Sequence, residues 1–254
     1  MRFLLLSVLV VFLVGIMVPS AFAEITITDD ATGGGCTTIG TWDSASKTCT
    51  LTSDVSEQIT IDSDGITLDG NSHTITMDSS SCCGVASTHD NITVKNFEII
   101  GGSGNSVGIS GNGLNHIISN NILTNAGLES SSYVDGVLQF SQSEIFGNTV
   151  TKPDYDYSSS WSPGIRIQGQ GVKVYDNLID HWGNAIFTCT GSRVTYQTPD
   201  HSEKQIHVFR NTFSNNASFL DSSNNDSCWG TGFYNNCRIF PYFVGSTPGY
   251  ARVL

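Results

Sequence analysis

The chain has 254 residues, with 11 Lys and Arg against 23 Asp and Glu, a formal net charge of -12 and only 13% charged residues. Clustered basic residues for phosphate contacts are missing, which argues against a nucleic-acid partner, and long charged helices lack the Glu, Lys and Arg they need. With 39% hydrophobic and 10% aromatic residues the chain is not disordered, and a β-rich, turn-rich, acidic protein remains.

Residues 1–23 read as a secretory signal. Arg2 precedes an apolar run from Phe3 to Val18, followed by Ala21-Phe22-Ala23 as a small-residue cleavage site. The run is shorter than the ~20 residues a membrane span needs. Cleavage removes one basic residue and leaves ten against twenty-three acidic ones, a formal charge of -13. The expected location is therefore secreted, extracellular or cell-envelope, with no membrane span after cleavage.

Seven cysteines suit an oxidising compartment. Cys36 with Cys49, and Cys228 with Cys237, would each close a short loop and are the preferred disulfides; Cys82, Cys83 and Cys189 leave an odd thiol. Asn91, Asn216 and Asn225 head candidate glycosylation triplets.

Residues 24–58 read as an N-terminal cap, with the strand Ile25-Thr-Ile-Thr, the Cys36–Cys49 loop and a short strand near Thr50. In Asp62-Ser-Asp64-Gly the start of a calcium loop is visible, but His73 stands where the closing Glu belongs, so these Asp residues are read as turn formers. From residue 59 to 213 a unit recurs, an aliphatic residue three positions before an Asn. Its Asn positions are Asn71, Asn121, Asn148, Asn177 and Asn211, with Phe97 replacing Asn in the second unit. The intervals are 26, 24, 27, 29 and 34 residues. A Gly-Val or Gly-Ile strand precedes most units by eight or nine residues, as at Gly84, Gly108, Gly136 and Gly164, and a third short strand follows the Asn.

This pattern predicts an all-β fold, a single-stranded parallel solenoid of about six turns with N- and C-terminal caps. Successive strands pair with the strand one turn on, and alternate Ile, Val and Leu residues fill the interior. The recurring Asn is expected both to adopt the left-handed backbone of a sharp turn and to form a side-chain amide ladder. A leucine-rich repeat competes through Val172-x-Val174-x-x-Asn177, but a Gly-Ile strand sits where its helix should be. Residues 214–254, rich in Ser, Asn and aromatics, read as the closing cap.

On these repeats the chain resembles the right-handed parallel β-helix family, which includes pectate-lyase-like and NosD-like secreted proteins. The resemblance implies a binding or active surface on the outer face and its flanking loops. Three loops stand out: one from Thr124 to Asp135 with Tyr133, one from Thr151 to Pro163 with Asp154, Tyr155 and Trp161, and one with Asp180, His181 and Trp182. Stacked turns would bring them side by side with Arg166, which is expected to bind a carboxylate or pair with Asp135 or Asp180. Aromatic faces and carboxylates together suit sugars.

The sequence reading is therefore a secreted or cell-surface protein that binds carbohydrate or serves a structural role. A neutral glycan or cell-surface component is the expected partner, because the acidic balance repels polyanions. A polysaccharide lyase or glycoside hydrolase on the same face is the alternative; it is disfavoured because polygalacturonase-type Asn-Thr-Asp and Gly-His-Gly motifs are missing. Third comes a NosD-like metal-related role, weakened by six scattered His residues without a paired spacing, so no cofactor or metal is expected.

Overall fold

The computed structural model describes residues 24–77, 83–102, 106–131, 133–134, 137–138, 142–153, 163–168, 171–188, 207–216, 218–221 and 250–252. Within them the regular structure is nearly all β, in three large sheets of predominantly parallel strands and one two-stranded antiparallel pair. The chain visits the sheets in cyclic order. One repeat runs through Cys83–Ser87 in the first sheet, Thr93–Lys95 in the second and Glu98–Ile100 in the third. The next repeat runs through Ser106–Asn112, Ile117–Ser119 and Ile122–Thr124, each strand pairing in parallel with its counterpart. This pairing is consistent with a β-solenoid.

Alternation explains the core. In the second sheet the central residue of each strand points inward, and Leu68, Val94, Ile118, Ile145, Val174 and Val208 stack in register. Ile75, Ile99, Leu123, Val150, Ile179 and Phe213 do the same in the third. β-branched side chains favour this extended, half-buried setting, and each inward residue packs on its neighbours one repeat away.

One expected strand lies elsewhere. In the fourth repeat the first-sheet position belongs to Ala126–Ser131, with Leu128 in register with Ile109 and Ile165, and not to Gly136-Val137. Val137 instead pairs antiparallel with Val134. Gly127 suits this position: a Cβ there would lie 2.9 Å from the Pro163 carbonyl oxygen, so the close approach of these strands favours glycine. The excursion after Ser131 breaks the eight-to-nine-residue spacing on which the sequence expectation rested.

Both ends carry an antiparallel strand. Gly40–Asp43 pairs with Thr48–Leu51, which pairs in parallel with Thr67–Asp69; Tyr250–Arg252 pairs antiparallel with Thr212–Ser214. At the N-terminal end Ile25–Ile27 extends the first sheet beside Ile59–Ile61. A single helical turn, Cys36–Ile39, buries Cys36 and Ile39 against the core. Cys36 is disulfide-bonded to Cys49, both fully buried. Cys83 lies buried in the first sheet, while Cys82, Cys189, Cys228 and Cys237 fall outside the described residues.

The Cys36–Cys49 bridge closes a loop with a sequence separation of 13. Chain-entropy arguments give such a loop about 3 kcal/mol. The Cys36→Ala/Cys49→Ala double variant should lose stability of that order in urea titration, with the cap amides of residues 24–51 losing hydrogen-exchange protection first.

Candidate functional site

The two duties expected of one Asn are divided between neighbours. At the corner between the second and third sheets the left-handed residues are Asn96, Asn120, Gly147, Asp176 and Arg210, one position before the ladder residue. The ladder residues Asn121, Asn148, Asn177 and Asn211 are buried. Asn121 donates through Nδ2 to Asn148 Oδ1 at 3.0 Å, Asn148 to Asn177 at 2.9 Å and Asn177 to Asn211 at 2.9 Å. Each Oδ1 also accepts the preceding ladder residue's backbone N–H, and Asn121 Oδ1 accepts that of Phe97. Asn71 is a correction. It is exposed, with φ 49°, and reaches only the Leu51 carbonyl, because Phe97 offers it no amide in the next repeat.

Of the expected three-loop patch, the described residues fall at two corners of the coil. Tyr133 follows the first-sheet strand Ala126–Ser131 and precedes the second-sheet strand Glu144–Phe146, whereas His181 and Trp182 lie between the third-sheet strand Leu178–Asp180 and the first-sheet strand Asn184–Thr188. The first-sheet strands intervene between these two corners. Asp135, Asp154, Tyr155 and Trp161 fall outside the described residues.

Trp182 is a core residue, only 2% exposed, and presents no face to a sugar. Its Nε1–H donates to the Val150 carbonyl at 3.1 Å, and its backbone N–H to Asn216 Oδ1 at 2.8 Å. Asn216 also spends its Nδ2 on the Ile179 carbonyl at 2.9 Å. Both ends of that amide thus close the corner, which leaves it poorly placed to carry a glycan. Asn91, by contrast, is exposed and accepts from Asn115 through Oδ1. Asn225 lies outside the described residues.

Asp180 and His181 do come together. Asp180 ends the third-sheet strand Leu178–Asp180, and His181 takes the left-handed corner position with φ 60°. His181 Nδ1 is 2.6 Å from Asp180 Oδ2, while Asp180 Oδ1 accepts from Ser214 Oγ and, at 2.9 Å, from Asn215 Nδ2. Burial pushes the Asp180 carboxyl upward, but the bonds from Ser214, His181 and Asn215 outweigh it and hold the group below the usual carboxylate range. These partners also correct the expected Arg166–Asp180 pair. Arg166 stands on the first sheet in register with Glu129 and Phe187.

Lys152, one repeat earlier, adds a cation that sequence reasoning passed over. Its Nζ sits 5.2 Å from the Trp182 ring centroid, and burial lowers its pKa. Its backbone N–H donates to the Asp180 carbonyl at 3.2 Å, so Lys152 and Asp180–His181 share one corner.

A second feature also escaped the sequence reading. Phe146, Tyr175 and Phe209 stack on the outer face of the second sheet, with centroids 5.0 Å apart and planes within 7°. The Arg210 guanidinium lies 5.0 Å from Phe209 and 5.6 Å from Tyr175, and pairs with Asp176. Glu144 accepts from Lys173 at 2.8 Å and from Tyr175 Oη at 2.9 Å. The rings cover one another's faces, so this column braces three repeats and leaves ring edges outward. The missed signal is an aromatic residue two positions before the ladder Asn in three consecutive repeats.

Among the described residues no cluster of His, Cys, Asp and Glu is arranged to hold a metal ion, and no helix is long and apolar enough to cross a membrane. No family model, curated protein or solved structure matches the chain.

Proposed function

We propose that the chain is a secreted or cell-surface right-handed parallel β-helix that binds a neutral glycan at the corner built by Lys152, Asp180 and His181. Closure of the three sheets with a right-handed crossover is the usual outcome for parallel strands joined in sequence. The buried Cys36–Cys49 bridge and the apolar leader of residues 3–18 support an oxidising, extracytoplasmic setting.

The Asp180–His181 pair carries the reading. With Nδ1 held by Asp180, His181 keeps Nε2 unspent on any described residue, on a side chain 36% exposed. A ring nitrogen fixed in this way meets a sugar hydroxyl at little entropic cost. The chain's net charge of -12 disfavours a polyanionic ligand.

Glycan-array screening followed by calorimetry tests this. His181→Ala should weaken binding roughly tenfold, the worth of about one well-placed hydrogen bond, with thermal stability unchanged. Binding that ignores the substitution, or no binding to any neutral glycan, overturns the reading.

One observation favours a carbohydrate-active enzyme as the second reading. A carboxylate on one imidazole nitrogen orients the other as a general base. Polysaccharide turnover abolished by His181→Ala would move the assignment there.

A further inference from the structure

The turn Asp62–Gly65 and the next repeat's His89 form a cluster outside the glycan corner. His89 Nε2 lies 3.0 Å from Asp62 Oδ1, and Nδ1 lies 3.1 Å from Asp64 Oδ1. A carboxylate oxygen only accepts hydrogen bonds, and neutral imidazole carries only one N–H. Both contacts are made at once only when the ring carries two protons. The positive ring therefore bridges two carboxylates of the preceding repeat.

Every neighbour fits a charged ring. Asp64 also accepts the Asp90 backbone N–H at 3.0 Å, and Lys47 faces Asp64 while pairing with Asp29. From the following repeat, His116 Nε2 lies 2.8 Å from the His89 carbonyl. That oxygen only accepts, so Nε2 bears the proton. Burial lowers the His116 pKa and so favours its neutral form. Asp90 turns its carboxylate to the Leu114 backbone N–H at 2.8 Å.

The same turn holds the cap. Asp29 donates its backbone N–H to Ser63 Oγ at 3.1 Å, Asp62 donates its own to the Ile27 carbonyl at 2.8 Å, and Thr67 donates to the Lys47 carbonyl at 3.0 Å.

We infer that His89 is a proton-operated latch that fastens the Asp62–Gly65 turn, and with it the N-terminal cap, to the second repeat. Loss of one ring proton leaves one donor for two carboxylates. One of the two contacts is then released, and the ring no longer bridges both carboxylates of the turn. Burial alone would lower the His89 pKa, but the bonds to Asp62 and Asp64 prevail and raise it. A raised folded value means the contribution is complete below the ordinary histidine pKa of about 6.5 and fades as pH rises through the folded value. For Asp64, whose pKa is lowered chiefly by the Asp90 N–H and then by His89, the contribution is lost only as pH falls through its depressed value. The latch is thus closed in mild acid and opens toward alkaline pH.

NMR titration of the intact protein tests this, with the His89 resonance identified through His89→Gln. The ring should titrate above about 6.5 and fall back toward that value in Asp62→Asn/Asp64→Asn. Protection factors at the Asp29 and Asp62 amides should drop across the same pH interval in the wild type, and show no such step in His89→Gln. A His89 ring that titrates at or below the ordinary value overturns the latch. So do Asp29 and Asp62 protection factors that are indifferent to its titration.

Discussion

Replacing Asn148 by leucine should cost about 3–6 kcal/mol, because the substitution strands several buried polar groups at 1–3 kcal/mol each. Asn148 Oδ1 accepts from both the backbone N and the Nδ2 of Asn121. Its Nδ2 donates to the Ile118 carbonyl, the Phe146 carbonyl and Asn177 Oδ1. Leucine keeps the heavy-atom count and the branch at Cγ but is bulkier and carries no donor or acceptor, so the polar loss is joined by some overpacking. Asn121 is left with a buried backbone N–H that has lost its acceptor and an amide that keeps only the Val94 carbonyl, and the Ile118 carbonyl loses the Asn148 amide as donor. The penalty should spread to neighbouring rungs, since a ladder amide polarises the next. Urea denaturation measures the total, and hydrogen exchange at Asn121 and Asn177 tests the spread. The Asn71→Leu variant is the control. Asn71 stands exposed outside the buried ladder, so its replacement should cost far less. A loss below about 1 kcal/mol for Asn148→Leu would show that the ladder adds little to the fold.

The repeat was legible in the sequence because its signals are local and periodic. An inward Ile or Val recurs at fixed distance from an Asn, and those pairs fall in register through all six repeats, as Val174 with Val208 shows. The long last interval of 34 residues does not disturb the register either, since Ile186 pairs with Leu220 beyond it. What failed depends on the third dimension. The left-handed residue and the ladder residue differ by one position, and Asn120-Asn121 offers both with the same side chain. The close approach of the Pro163 carbonyl to Gly127 exists only in the folded chain and leaves no local mark in the sequence. The His89 bridge joins residues 25 and 27 positions apart, in turns the sequence reading took only as turns. The Phe146–Tyr175–Phe209 column was readable, being periodic, but its residues flank the Asn that drew attention. In the site, Asp180 and His181 were placed together by adjacency alone, whereas Trp182, adjacent as well, turns inward.

That inward turn gives Trp182→Ala its expected outcome, a loss of about 3–5 kcal/mol, as for other buried aromatic truncations. The indole fills the interior where the third sheet meets the first, and Gly164 makes room for it. A Cβ at Gly164 would come within 3.2 Å of the ring, tighter than an ordinary contact, while Gly127 lies at ordinary contact distance. Truncation leaves a cavity between strands that the backbone pairing holds apart, so collapse is limited. It also deprives the Val150 carbonyl of its Nε1–H donor and Lys152 of the ring beneath its ammonium. Trp182→Phe separates these terms: the smaller ring fills much of the volume but donates no hydrogen bond, so about 1–3 kcal/mol should remain. Urea titration of the two variants measures both. The comparison with His181→Ala then distinguishes core from surface. Trp182→Ala should lose stability, and His181→Ala should lose glycan affinity with stability intact. A Trp182→Ala protein of undiminished stability that no longer binds sugar would place the indole in the binding face, because a buried ring at this corner cannot be removed without opening the contact between the first and third sheets.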